Sequence, residues 1–124
     1  MSYTFDNERP IYIQLVEMLK TEIVSGRIQS GARLPSVREL ASQVRVNPNT
    51  LQKALLQLES EGLIYTERTN GKFVTEDEGR IAEERIRLAR AQTEMFLKSM
   101  AQLGVTEHEV GMLLTERGTK IATD

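Results

Sequence analysis

The chain has 124 residues, an ordinary hydrophobic fraction of 40% and no cysteine. This length suits one domain or a small domain with an appended element, and the composition excludes wholesale disorder and a disulfide framework. The formal net charge of −2 lowers the expectation of a nucleic-acid partner. No apolar run approaches the ~18 residues that span a bilayer, and the N-terminus lacks the features of a signal peptide. We therefore expect a cytoplasmic protein with no membrane partner.

Basic and acidic residues are separated along the chain, and this separation matters more than the net charge. The basic residues Arg27, Arg33, Arg38, Arg45 and Lys53 accompany one acid, Glu39, whereas the excess acid follows Thr75. One segment could therefore face phosphates while the other keeps the chain soluble.

A first helix is expected to begin near Pro10, because proline at the first helical position loses no hydrogen bond. Apolar residues recur at helical spacing from Ile11 to Ile23, and Gly26 can end the helix in the left-handed conformation. Arg33-Leu34 is expected to pair as a very short strand.

Two short helices follow, each with its own start signal. Ser36 and Glu39 form a capping box for the second helix, while Asn47 caps the third helix and Pro48 takes its first position. The third helix is expected to end at Gly62. The predicted buried faces comprise Leu40, Ala41 and Val44 of the second helix and Leu51, Ala54, Leu55 and Leu58 of the third.

A hairpin is predicted next, with strands Ile64 to Glu67 and Lys72 to Thr75 around Asn70-Gly71, since both turn residues tolerate positive φ. Two capped helices followed by a hairpin are the order of a winged helix-turn-helix, which places its second helix in a DNA groove. The sequence therefore predicts a mainly α (α+β) fold, with a winged helix-turn-helix DNA-binding domain over residues 1–76.

A long helix is expected after Gly79 to about Leu103, followed by a short one that starts at a Thr106–Glu109 capping box and stops near Gly118. In the long helix, apolar or small residues recur at heptad a/d spacing: Ala82, Ile86, Ala89, Thr93, Phe96, Met100 and Leu103. Such a stripe often packs within one chain, but only one short helix remains here to cover it. We therefore expect residues 77–124 to form a two-helix dimerisation segment with two-fold symmetry. The expected interface residues are Ile86, Ala89, Thr93, Phe96, Met100 and Leu103.

The opening of the third helix, NPNTLQK, and the hairpin tip carry the candidate chemistry. At a helix N-terminus the free amides favour phosphate, Asn or Gln can pair with adenine, and Thr can contact a phosphate or a thymine methyl. The hairpin tip suits the minor groove or its flanking phosphates. The alternative, a merely solvated helix face, does not account for the ordered helices and hairpin. The candidate DNA-binding residues are Arg38, Asn47, Asn49, Thr50, Gln52, Lys53, Arg68, Asn70, Gly71 and Lys72.

The sequence resembles the GntR family of bacterial transcription regulators. The residues that carry the likeness are Leu34-Pro35-Ser36, Arg38-Glu39-Leu40-Ala41, the NPNT opening and Leu58-Glu59-Ser60-Glu61-Gly62-Leu63-Ile64. PIYIQL at Pro10 to Leu15, the NPNT and QKAL strings and the short C-terminal part are similar to the YtrA subfamily. The resemblance is close over residues 10–75 and extends after residue 79 in length and helical character only.

The resemblance implies a dimeric DNA-binding regulator, most often a repressor, and often one that controls a neighbouring transporter operon. It assigns DNA contacts to Arg38, to Asn47, Asn49, Thr50 and Gln52, and to the wing glycine, here Gly71. Many relatives have arginines in the opening of the third helix, where this chain has Pro48 and Gln52, which implies a different base preference. The wing, TNGKFV, is shorter than the usual form with two glycines.

Three classes of function fit a chain of this kind to different degrees. A dimeric repressor on an inverted-repeat operator, with half-sites about one helical turn (~34 Å) apart, agrees best with the motifs. A protein-interaction module would need exposed aromatic or Met side chains on the NPNTLQK face, and none is evident. An enzyme would need a nucleophile–base pair, a phosphate loop or a metal cluster, so we expect no catalysis, metal or cofactor. The identity of any small-molecule effector stays open; we expect it to bind at the dimer interface.

Overall fold

The computed structural model describes residues 4–123, with side chains through residue 118. Within these residues the fold is mainly helical with a small antiparallel sheet, as predicted. The elements are α1 (Ile11–Val24), α2 (Val37–Val44), α3 (Pro48–Ser60), β1 (Ile64–Glu67), β2 (Gly71–Val74), α4 (Glu78–Gln102) and α5 (Glu107–Thr123). Two compact units divide between Arg85 and Ile86, inside α4. We call them the first and the second unit.

The core of the first unit is built around α3, which contacts α1, α2 and β1. Its inner face is fully buried, as the helical spacing predicted, and leucines of the other elements pack there with it. The most deeply buried apolar side chains are Leu15, Leu19, Leu40, Leu51, Leu55, Leu58, Leu63 and Val74.

The start signals of α2 and α3 are confirmed. Ser36 Oγ accepts the amide of Glu39 at 3.1 Å and donates to the Glu39 carboxylate at 3.2 Å. Asn47 Oδ1 accepts the amide of Asn49 at 2.8 Å, and Pro48 follows at the first helical position. Between the two helices Arg45 adopts a left-handed conformation with φ +58°, which makes the turn tight.

Helix α1 begins at Ile11, one residue later than expected from the preference of proline for the first helical position. Pro10 is the N-cap residue and offers no side-chain acceptor. The buried Gln14 side chain instead donates to the carbonyls of Asp6 and Arg9, both at 2.9 Å, and thereby holds the preceding segment. The predicted stop at Gly26 is confirmed, with φ +81°.

The predicted hairpin, which we call the wing, is confirmed, and its second strand begins and ends one residue earlier than predicted. Glu67 pairs with Gly71, so the loop consists of residues 68–70 and β2 runs from Gly71 to Val74. Of the two turn residues that tolerate positive φ, Gly71 adopts it (+99°) and Asn70 does not. A three-residue loop followed by glycine in this conformation is a common hairpin form. The predicted pairing of Arg33-Leu34 is confirmed, since Arg33 bridges Phe73 and the Leu34 amide donates to Lys72.

Two helix limits in the C-terminal part differ from the prediction. Helix α4 starts at Glu78, ahead of Gly79, because the Asp77 carboxylate accepts the amide of Arg80 at 3.0 Å. Helix α5 continues past Gly118 to Thr123, since glycine disfavours a helix by only about 1 kcal/mol relative to alanine and does not by itself end one. The capping box of Thr106 and Glu109 is confirmed, with both reciprocal hydrogen bonds present. In the described part of the chain, no helix has the length and apolarity to cross a membrane.

The first turns of α4 join the first unit through four charged side chains, Lys20, Glu61, Arg80 and Glu84, which we call the charged network. Lys20 Nζ lies 2.7 Å from Glu61 and 3.4 Å from Glu84. Arg80 contacts Glu84 at 2.9 Å and donates through Nε to the Glu61 carbonyl at 2.9 Å. Glu84 is only 1% exposed. Two positive and two negative charges are therefore balanced where α1, α3 and α4 meet.

Partial burial acts to raise the pKa of Glu61, but hydrogen bonds from Lys20 and Gln57 outweigh it and hold this pKa below its ordinary value of 4.5. A carboxylate with a depressed pKa stabilises the folded state above its unfolded pKa and loses that contribution as the pH falls through the folded pKa. We expect Glu61→Gln to lower the free energy of unfolding by up to about 1 kcal/mol at pH 7. Urea unfolding should show this difference shrinking as the pH falls below about 4.5. The exposed Glu83→Gln is the control; equal differences at pH 7 and at acid pH would contradict the assignment.

Candidate nucleic-acid interface

Helix α3 presents a polar opening because its apolar face is used by the core. Leu51 and Leu55 are fully buried, which turns the intervening positions outward. Asn49 is exposed, while Thr50 and Gln52 are half-buried. None of these three side chains makes a hydrogen bond with a described residue. The first turn of α3 therefore offers side-chain amide and hydroxyl groups, which suit phosphates and base edges.

Exposed arginines surround this opening. Arg38 lies in the first turn of α2, and Arg45 occupies the left-handed turn between α2 and α3. Their guanidinium groups make no hydrogen bond or ion pair with any residue that the structure describes. Glu39, the one acid nearby in the sequence, accepts a hydrogen bond from the Ser36 hydroxyl. The helix pair thus carries positive charge that nothing in the described chain neutralises.

Some predicted site residues already have structural roles. The Asn47 side chain caps α3. The Lys53 ammonium lies 3.8 Å from the centroid of the Tyr12 ring, a cation–π contact that holds it toward α1. Lys53 is nevertheless exposed, so a phosphate could approach its outer side.

In the wing, Lys72 supports the hairpin. Its ammonium donates to Thr66 Oγ1 at 2.9 Å and lies 3.5 Å from Glu59 of α3, with 16% of the side chain exposed. Asn70 donates to the Glu67 carboxylate at 3.0 Å. Arg68 is exposed and has no such partner among the described residues. Of the predicted wing cations, Arg68 is thus the one that the tip leaves available.

The structure adds Arg33, which was not among the predicted site residues. The short strand pairing carries Arg33 to the wing, where a Cβ placed on Gly71 would lie 3.4 Å from Arg33 Nε. An open groove between the start of α2 and the wing is lined by both residues, together with Ser36 and Arg68. The basic run of the sequence included Arg33, but no local pattern showed that it reaches the wing.

The predicted dimer residues lie on α4, except Leu103, which directly follows it, and most of them are exposed in the single chain. Ile86 is 50% exposed, Phe96 44% and Leu103 74%. Ala89 and Thr93 are also exposed, whereas Met100 is half-buried. Met112, Leu113 and Leu114 of α5 each remain more than half exposed. The second unit therefore exposes more large apolar side chains than isolated surface residues would explain.

The sequences of curated relatives align with most of this chain. The HTH-type transcriptional regulator YhcF of Bacillus subtilis (strain 168) is 36% identical over 110 residues, which cover 89% of this chain and 91% of YhcF. The HTH-type transcriptional repressor YtrA of the same strain is 35% identical over 105 residues, 85% of this chain and 76% of YtrA.

Solved structures show the same fold. A GntR family transcriptional regulator from Listeria monocytogenes matches with a TM-score of 0.82 and 41% identity, covering 90% of this chain and 98% of that chain. The AraR DBD in complex with operator ORX1 matches with a TM-score of 0.55 and 29% identity, covering 60% of this chain and 95% of that chain.

The matches agree with the motifs that suggested the family. The gntR family of bacterial regulatory proteins matches residues 11–74, from the start of α1 to the end of the wing. The likeness to YtrA continues beyond this region and confirms the subfamily resemblance. The chain therefore belongs to the gntR family of bacterial regulatory proteins, whose members here are DNA-binding transcription regulators, and to its YtrA subfamily.

Proposed function

We propose that this regulator is a dimeric repressor that binds an inverted-repeat operator, one half-site to each first unit. The observation that carries the proposal is the polar opening of α3 beside the unpaired Arg38. An exposed surface with unneutralised arginines and amide side chains is suited to DNA, whose phosphates attract the cations while base edges pair with the amides. The name of YtrA, a repressor, supports the direction of regulation, and the operator complex of AraR supports the partner.

The proposed contacts divide by chemistry. Asn49, Thr50 and Gln52 read bases in the major groove, and Arg38 binds a phosphate or a guanine. The wing places Arg68 and the backbone of Gly71 at the minor groove or its phosphates. Residues with structural roles add contacts through their remaining groups: Asn47, Lys53, Asn70 and Lys72.

Dimerisation is proposed through the apolar surface of α4 and α5. Burial of side chains such as Phe96 and Leu103 is favourable by about 1.5–3 kcal/mol each when they leave water completely. Two-fold symmetry then presents two copies of α3 to an operator with two-fold symmetry, with half-sites about one helical turn apart. An effector that binds at this interface would change the separation of the two first units.

The first experiment is a fluorescence-anisotropy titration with the DNA upstream of the protein's own gene, where an operator for a neighbouring transporter operon would lie. We expect binding that resists scrambled competitor and weakens steeply between two salt concentrations, because phosphate contacts release counterions. Binding equal to that of the competitor would contradict an operator at this position. Absence of binding even at low salt would favour a protein-interaction role instead.

Arg38→Ala should weaken operator binding. If Arg38 pairs with a guanine, the loss should be about 1–3 kcal/mol; if it contacts phosphate, the slope of log K against log salt should fall by about one. Arg27→Ala is the matched control. Arg27 follows the C-terminal end of α1, whereas the contact between Tyr12 and Lys53 places the N-terminal end of α1 beside the opening of α3. Equal affinities for the Arg38 variant and the wild type would refute the assigned contact.

Phe96→Glu should separate the dimer, since it places a charge in the proposed apolar seam. Light scattering after gel filtration should report a change from two chains to one, and operator affinity should fall with it. Lys98→Glu, an exposed change on the same helix outside the heptad positions, should leave the dimer intact. A Phe96→Glu dimer of unchanged stability would place the interface elsewhere.

A further inference from the structure

We propose that Arg33 binds a phosphate of the DNA strand that separates the major groove from the minor groove, and that Gly71 leaves the room that its side chain needs. The inference rests on the proposed DNA contacts of α3 and the wing, and it holds whether one chain or two chains bind. Both residues lie in the first unit.

The backbone of Arg33 is fixed to the wing on both sides. The amide of Leu34 donates to the Lys72 carbonyl at 2.8 Å, and the carbonyl of the residue before Arg33 accepts the amide of Val74 at 2.9 Å. Arg33 itself pairs with Phe73 in an antiparallel bridge. The chain around Arg33 thus forms a short third edge of the sheet, and these hydrogen bonds hold Arg33 in register with β2.

The side chain of Arg33 shares a face of the sheet with Gly71. In an antiparallel pair, the residue two positions from the direct partner is the diagonal neighbour on the same face, within reach of a long side chain. Phe73 is the direct partner of Arg33, so Gly71 is this neighbour. A Cβ placed on Gly71 would lie 3.4 Å from Nε and 3.6 Å from Nη2 of Arg33. The guanidinium therefore fills the space into which a longer side chain at position 71 would extend.

The Arg33 guanidinium keeps its hydrogen-bonding capacity. Arg33 is exposed, and it makes no hydrogen bond or ion pair with any residue that the structure describes. The nearby acid Glu67 instead accepts a hydrogen bond from the Asn70 amide at 3.0 Å. Arginine has five N–H donors in a planar fork that matches the geometry of a phosphate. With its backbone held by the sheet, Arg33 is thus ready to bind an anion.

The open groove beside Arg33 suits a DNA strand. It has a volume of about 390 Å³, and the charged residues among its described lining are Arg33, Arg68 and Lys72 with one acid, Glu67. Lys72 is already paired with Glu59, which leaves the two arginines for a ligand. A helix in the major groove and a wing in the neighbouring minor groove must straddle the phosphate strand between them. The groove between the start of α2 and the wing receives this strand.

Arg33→Gln should lower operator affinity about tenfold, because a charge-assisted hydrogen bond is lost. The slope of log K against log salt should fall by about one for each half-site. Arg27→Gln removes the same charge beyond the end of α1 and should match the parent. Parent-like affinity and slope in Arg33→Gln would overturn the contact. A melting temperature that falls together with affinity would assign Arg33 a structural role instead, whereas an unchanged one supports the contact.

The phosphate is located with operator duplexes that carry one neutral methylphosphonate at a time. At the contacted position, this replacement should weaken the parent about tenfold and leave Arg33→Gln nearly unchanged, because the partner is already missing. Equal losses in both proteins at every position would overturn the phosphate contact. An Arg33→Gln loss that varies with the base pairs at the wing would also overturn it, since a phosphate contact weakens binding uniformly across sequences.

A double-mutant cycle separates the role of Gly71 from its backbone strain. Gly71 has φ +99°, where any side chain is strained, and Asn is among the residues that tolerate positive φ best. Gly71→Asn should cost at least about threefold more affinity in the parent than in Arg33→Gln, since the strain is common to both backgrounds and cancels. Equal costs would show that Gly71 serves the turn of the wing alone, and would overturn its role toward Arg33.

Failure of the proposed function is distinguishable from failure of this contact. If no operator is found, Arg33→Gln is compared with the parent on random-sequence DNA at low salt, where phosphate contacts provide the binding. A reduced salt slope there supports the Arg33 contact although the operator proposal falls. An equal slope on DNA that the parent binds overturns the Arg33 contact alone. A parent that binds no DNA at all overturns both.

Discussion

Burial of one face of α3 is the contact on which the first unit depends. Leu51, Leu55 and Leu58 are removed from water by α1, α2 and β1, which all meet this helix. Because those positions must point inward, the remaining positions of the first turns are forced outward. The polar opening is thus a geometric consequence of the core, and a substitution that tilted α3 in its pocket would move every proposed base contact at once.

The same tertiary contacts decide which polar groups stay available to DNA. Lys72 binds Glu59 and Thr66, and Lys53 rests on Tyr12, so two cations of the interface also hold its parts in place. Arg38 and Arg68 make no such contact with the described residues. Because Lys53 and Lys72 hold the wing and the helix pair in place in the free protein, less conformational entropy is lost when DNA binds.

The two ends of helix α4 differ in how far their side chains are buried. At its start, Ile81 and Glu84 are buried in the first unit. Beyond Arg85, large apolar side chains such as Ile86 and Phe96 are exposed. The proposed dimer follows from this contrast, since the exposed apolar side chains would otherwise remain in water.

Features that arise from interactions between residues close together in the chain could be predicted from the sequence. Helix starts at Ser36, Asn47 and Thr106 were predictable because each cap joins residues two or three positions apart. The heptad positions of α4 and the buried face of α3 follow from helical periodicity alone. The family motifs lie in these same segments, so the winged helix and the location of its polar helix opening could be predicted without coordinates.

Contacts between segments far apart in the chain could not be predicted and became visible in the folded chain. Lys20 and Glu61 are 41 residues apart, and no spacing rule indicates their pairing. The three-residue turn of the wing was set by the register of β1 against β2, and Arg33 reaches Gly71 through a strand pairing across the unit. Side-chain partners of this kind depend on which surfaces the folded core brings within a few ångströms, and local sequence patterns carry no record of those distances.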